Sequence, residues 1–142
     1  MASNLLIDTN VVLDAFLRRE PFYETANKVL KLNKLSNVTI AVTASSTTDI
    51  FYLARRELKD RRVVKEMLTN LLTEMSVKIL PVTPEAIYRA LNLPWNDFED
   101  AVQYSTALVN NVSGIVTRNV EDYKKSEIDI YTPEEIVEFF NR

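Results

Sequence analysis

The chain has 142 residues, 46% of them hydrophobic, a formal net charge of −3, and neither cysteine nor histidine. That size and apolar content suit one buried core, so residues 1–142 are expected to form a single domain. The missing thiol and imidazole groups exclude cysteine nucleophiles, histidine general bases, disulfides and the usual zinc sites. An enzyme built on this chain works mainly with carboxylates, and any attraction to nucleic acid has to come from local basic patches or bound cations. No apolar run approaches the roughly 20 residues of a membrane span, and the start MASNLLID is too short and polar for a signal peptide. A cytoplasmic protein without membrane contact is expected.

Read in chain order, residues 5–7 form a short apolar run that ends on Asp8-Thr9-Asn10 and resumes as a helical pattern. Asp8 or Asn10 can cap that helix, and Asp8 can equally serve as a ligand at a strand end. Asp14, one turn later, reads as a solvated or supporting residue. Ala26, Val29, Leu30 and Leu32 make one face of the next helix, and residues 38–42 form a second β-branched run. In TASSTTDIFYLARREL, Ser45 or Ser46 can cap a helix, and Asp49 falls where a capping-box acid would. Ile50, Phe51, Leu53 and Ala54 point inward, whereas Arg55, Arg56 and Lys59 point outward. That basic cluster is either a solvated face or the best phosphate-attracting patch of the chain.

Leu58, Val64, Met67, Leu68, Leu71, Leu72 and Met75 continue the helical pattern before a third strand at 77–82. Thr83-Pro84 and Thr132-Pro133 each place a capping hydroxyl before a proline at the first helical position. In PWNDFEDAVQYSTALV, Asp97 and Asp100 lie three apart at a helix start, flanking a stripe of Phe98, Ala101, Val102, Ser105, Leu108 and Val109. Capping accounts for Asp97 more easily than for Asp100. Residues 115–116 form a fourth strand, followed by Thr117-Arg118-Asn119 and then Asp122, with Asn119 readable as a turn residue. A fifth strand is expected at 128–130. Gly114 is the only glycine, so no flexible linker divides the chain.

Alternating strands and helices imply an α/β fold, a mostly parallel sheet of four or five strands with helices on both faces. In such sheets ligands bind beyond the carboxyl ends of the strands. Asp8, Asp49, Asp97 with Asp100, and Asn119 with Asp122 would then converge on one crevice and repel one another without cations. Hard oxygen ligands of this kind suit Mg²⁺ or Mn²⁺, and the chemistry implied is metal-assisted phosphodiester hydrolysis.

LLIDTNVVLDAF, SSTTDIFYLARR, NDFEDAVQYSTA and IVTRNVEDYKKS together resemble the four ordered motifs of PIN-domain nucleases, and the resemblance spans nearly the whole chain. It is nearest to the small bacterial and archaeal PIN proteins that include VapC-type toxins. The resemblance implies a three-layer α/β/α sandwich, Mg²⁺- or Mn²⁺-dependent ribonuclease activity, RNA as substrate and an antitoxin partner. By position, Asp8 and Asp100 match the first and third acids of the family, and Asp97 is an additional carboxylate beside them; Asp8, Asp97 and Asp100 are expected to share one cation, with Asp49 at its edge. Asp49 stands where Glu is usual, and Asn119 where many members carry a fourth Asp, so a second metal would depend on Asp122. Asn10 and Thr117 fall in supporting positions, and Arg55, Arg56 and Arg118 would meet nucleic acid. The alternative is a degenerate PIN module that binds RNA or a protein without cutting. A phosphatase of the haloacid dehalogenase type needs a second Asp where Asn10 stands. Phe22, Leu71, Leu72 and Phe139 read chiefly as core, with a homodimer or antitoxin contact as the other assignment.

Overall fold

The five short apolar runs become one sheet: β1 (Ser3–Ile7), β2 (Val38–Thr43), β3 (Lys78–Leu80), β4 (Gly114–Val116) and β5 (Asp129–Tyr131). The computed structural model describes residues 3–123 and 125–141. The strands lie in the order β3-β2-β1-β4-β5, and every neighbouring pair is parallel. The helices among the described residues are α1 (Thr9–Phe16), α2 (Tyr23–Leu30), α3 (Ala44–Leu58), α4 (Arg61–Leu72), α5 (Pro84–Leu91), α6 (Phe98–Val109) and α7 (Pro133–Phe140).

Side chains alternate across each strand, which divides the core into two layers. Leu5, Ile7, Ile40, Val42 and Val116 face one side, under α1, α2, α3, α4 and α7. Leu6 and Ile115 face the other, where they meet Tyr104 and Ala107 of α6. Ala90 of α5 packs on Ala101 and Val102, adding a second helix to that layer. The result is an α/β/α sandwich with both faces of the sheet covered, as parallel sheets require.

Local chemistry explains most helix starts. Thr83 accepts from Ala86 N–H, and Thr132 forms a full capping box with Glu135. Helix α3 departs from expectation: its cap is Thr43, which accepts from Ser46 N–H at 3.1 Å, instead of Ser45 or Ser46. Strand β2 runs through Thr43, so the helix opens at Ala44 and Asp49 lies beyond the first turn, where no capping box can use it. The buried stripe of α6 also differs. Phe98 is 49% exposed, while residues 101–107 are all buried, because α6 is covered by the sheet on one side and by α5 on another. Leu71 is fully buried in the larger core and offers nothing to a partner; Phe22 lies beneath the Arg118 guanidinium, 3.9 Å from its ring centre. Phe139 remains half exposed.

The lone glycine marks a close approach. A Cβ on Gly114 would lie 2.8 Å from the Tyr131 ring and 3.1 Å from Leu5 Cδ2. Gly114→Ala is therefore expected to force the β4–β5 contact apart and to lower stability by about 1–3 kcal/mol. Denaturant unfolding of the purified variant checks this, and an unchanged midpoint would refute the crowding.

Candidate active site at the carboxyl edge of the sheet

Strand order reverses at β1: β2 and β3 extend to one side, and β4 and β5 to the other. The β1–β4 register pairs Ile7 with Val116, so the next residues, Asp8 and Thr117, emerge side by side from the carboxyl edge. Asp8 N–H donates to Val116 O at 3.0 Å. Asp8 holds the N-cap position of α1, yet its side chain makes no cap hydrogen bond. Its carboxyl, on a residue only 4% exposed, turns instead to two side-chain donors. Thr117 Oγ1 donates to Oδ2 at 2.7 Å, and Gln103 Nε2 of α6 donates to Oδ1 at 3.1 Å. Asn119 N–H in turn donates to Thr117 Oγ1 at 3.0 Å. Because a carboxylate only accepts, the Gln103 amide must present nitrogen to Asp8, which leaves its Oε1 buried without a partner. An unmet buried acceptor costs about 1–3 kcal/mol.

Acids crowd both sides of this carboxylate. Asp97 caps α6, its Oδ1 accepting from Asp100 N–H at 3.1 Å. Trp95 holds the approach to that cap by stacking on Tyr104 at 4.7 Å and meeting Tyr123 edge-on at 5.7 Å. Burial first, and then the charges of Asp97, Asp8 and Asp122, push the Asp100 carboxyl up to about 7. The Tyr123 hydroxyl, donating to Asp100 Oδ1 at 3.4 Å, works weakly in the opposite direction. Asp97, Asp100, Asp122 and Lys125 line one recess together with Trp95. A second recess opens between α3 and α6, where Asp49 and Glu99 stand with Thr9, Ser46 and Gln103 over the apolar Ile87. Glu99 is raised by burial and then by Asp49, Asp97 and Asp8. Asp49 thus joins the site from the Glu99 side. The Thr9 and Ser46 hydroxyls, 2.7 Å apart, tie the start of α1 to that of α3.

The basic residues fall in two places. Arg55 and Arg56 share an exposed patch on α3 with Tyr52 and Lys59, the Arg56 guanidinium lying 5.9 Å from the Tyr52 ring centre. Arg118 is held by Asp14, with its Nε 2.6 Å from Oδ2, and Arg19 approaches the same carboxylate at 3.6 Å. Asp14 is 1% exposed, so the expectation of a solvated residue gives way to a buried ion-pair anchor, needed because a lone buried charge is prohibitive.

The PIN domain pattern matches residues 4–121 of the sequence. The chain belongs to the PIN domain family. No curated protein matches it significantly. The structure of VapBC-1 from nontypeable Haemophilus influenzae aligns with a TM-score of 0.68 at 16% identity, covering 92% of this chain and 98% of that one. A toxin-antitoxin complex from Klebsiella pneumoniae aligns with a TM-score of 0.66 at 18% identity, covering 91% and 97%. Mycobacterium tuberculosis VapC20, a sarcin-ricin loop cleaving toxin, aligns with a TM-score of 0.61 at 14% identity, covering 78% and 86%. At these identities the likeness is one of fold.

In this PIN domain the oxygen-only donor set fits a hard divalent cation, which binds one or two carboxylates and keeps several waters. The carboxylates feel one another without forming a shared ligand shell: among the described residues no three Asp or Glu side chains are grouped closely enough to hold one ion. Two residues at the site escaped the sequence reading. Glu99 drew no assignment there, and Gln103 carried one signal, a polar side chain within the apolar run of α6.

The raised Asp100 carboxyl has a consequence for stability. Its folded pKa of about 7 exceeds the usual Asp value of about 3.9, so the folded chain holds the extra proton between those limits. Stability from this group is fullest below pH about 4, falls as pH rises toward about 7, and is constant above. Asp100→Asn, measured without divalent metal, should gain thermal stability on the wild type as pH rises through that window. A difference that stays flat from pH 4 to 8 would contradict the crowding.

Proposed function

We propose that this PIN domain is a Mg²⁺- or Mn²⁺-dependent endoribonuclease that hydrolyses RNA phosphodiester bonds, acting in the cytoplasm as the toxin of a toxin-antitoxin pair. The reading rests chiefly on one observation: in a chain that matches the PIN domain pattern, Asp8 leaves the central strand buried at the carboxyl edge with Asp97, Asp100 and Asp122 gathered beside it, a crowding that also raises the Asp100 carboxyl. Acids gathered at such cost to their own ionisation are relieved when a cation arrives.

Asp8 and Asp100 would hold the metal, with Asp97 supporting and Asp49 at the edge. Asn10, Thr117, Asn119 and Asp122 are the supporting or second-metal positions. The bound ion supplies an acidified water and positive charge against that developing on phosphate. Asp8 contributes an oxygen pair whose direction is fixed by Gln103 and Thr117. Arg55 and Arg56 on the outer face of α3 would draw the RNA backbone toward the crevice that Asp49 of the same helix borders. Arg118 already serves Asp14 and Phe22, so phosphate attraction falls mainly to the α3 patch. The similar VapC20 is a sarcin-ricin loop cleaving toxin, and the Klebsiella structure is a toxin-antitoxin complex, which supports RNA as substrate and an antitoxin as partner. Among the described residues no helix is long and apolar enough to cross a membrane.

The test is cleavage of labelled RNAs by purified protein with Mg²⁺ or Mn²⁺, stopped by chelator. Asp8→Asn and Asp100→Asn should each lower the rate by about 10²–10³-fold, the scale of losing one electrostatic group, while remaining folded. Asp49→Asn should be milder. Undiminished cleavage in both Asp8→Asn and Asp100→Asn would overturn the reading, and metal binding without cleavage of any RNA would assign the domain to a non-cutting module.

A further inference from the structure

Asp8 is gripped by two donors that differ in one respect. The Thr117 hydroxyl is satisfied on both counts, accepting from Asn119 N–H while donating to Asp8. Gln103 is not: having given its Nε2 to Asp8 Oδ1, it keeps Oε1 buried without a hydrogen-bond partner. Gln103 is 5% exposed and lines the recess beside Val102, Asp49 and Glu99, where a leucine or methionine would fill the space without leaving an orphaned carbonyl. A local fault kept in the core beside an acid points to a role other than packing.

We propose that Gln103 is a positioning residue for Asp8. A carboxylate oxygen has two acceptor directions, and each Asp8 oxygen spends one of them on a protein donor. With Oδ1 tied to Gln103 and Oδ2 to Thr117, the carboxylate cannot turn about its Cβ–Cγ bond. The remaining lone pairs are held in fixed directions, ready for a divalent cation. Releasing either donor lets the carboxylate swing, and the alignment is lost although the acid remains. This inference rests on the carboxylate cluster being a metal site.

The test compares the wild type, Gln103→Leu, Thr117→Val and the double variant. Mn²⁺ affinity is read by electron paramagnetic resonance, the fold by thermal melting, and turnover by RNA cleavage. Gln103→Leu should still melt cooperatively as a folded protein, bind Mn²⁺ about 10- to 100-fold more weakly, and lose kcat while KM holds. Because both donors act through the same carboxylate, the double variant should lose little more Mn²⁺ affinity than the weaker-binding single variant. Should leucine disturb the helix, Gln103→Met supplies the same comparison with an unbranched side chain. Unchanged Mn²⁺ affinity on replacing Gln103, or losses that multiply in full in the double variant, would overturn the proposal. Failure of the wild type to take up Mn²⁺ at all would instead overturn the metal-site reading, and this proposal with it.

Discussion

A carboxylate buried at the end of the central strand has to be met by donors or by a cation, since an isolated charge in an apolar interior is far too costly. In this chain both donors come from the far end of the sequence. Thr117 reaches Asp8 because β1 and β4 are neighbours in register, and Gln103 reaches it because α6 packs on the face that carries Leu6 and Ile115. The order of the strands, the placement of α6 and the path of the loop after β4 all meet at this one group. Arg118 adds a tie from that loop to Asp14 on α1, the helix that Asp8 begins.

Around that satisfied acid stand others that are not satisfied. Asp97 is used by the α6 cap, yet its charge weighs on Asp100 and Glu99, and Asp122 adds to the burden on Asp100. A protein selected only for stability would dilute such a cluster, so its retention opposes stability to function in the way active sites commonly do. The recess beside Trp95 is lined mainly by polar residues, whereas the recess beneath Asp49 is floored by the apolar Ile87 of α5 and Val102 of α6.

Much of this could be read from the residues because strand ends and caps are local. The run into Asp8, the threonine-proline helix starts and the Asp97 cap each depend on neighbours a few positions away. Where the sequence misled, the missing information was tertiary. One more residue of β2 moved the α3 cap from the serines to Thr43 and turned Asp49 from a cap candidate into a wall of the crevice. Asp14 stayed undecided between a solvated and a supporting residue because its partner Arg118 lies 104 positions away. Gln103 gave no hint of its acceptor, which lies 95 positions away, and Phe98 left the core because α5 covers a different side of α6 than the periodicity suggested.

The long reach of these contacts also decides when in folding the site comes into being. Asp8 is separated by 109 positions from Thr117, and contacts of such span form only after the intervening chain has been organised and its loop-closure entropy lost. A chain emerging from the ribosome with β1 through α5 complete carries its first acid without either donor. The crevice cannot be assembled from an early fragment, and the chemistry it serves is withheld until β4 docks beside β1. Synthesis of this chain thus has a built-in delay between exposing Asp8 and arming it.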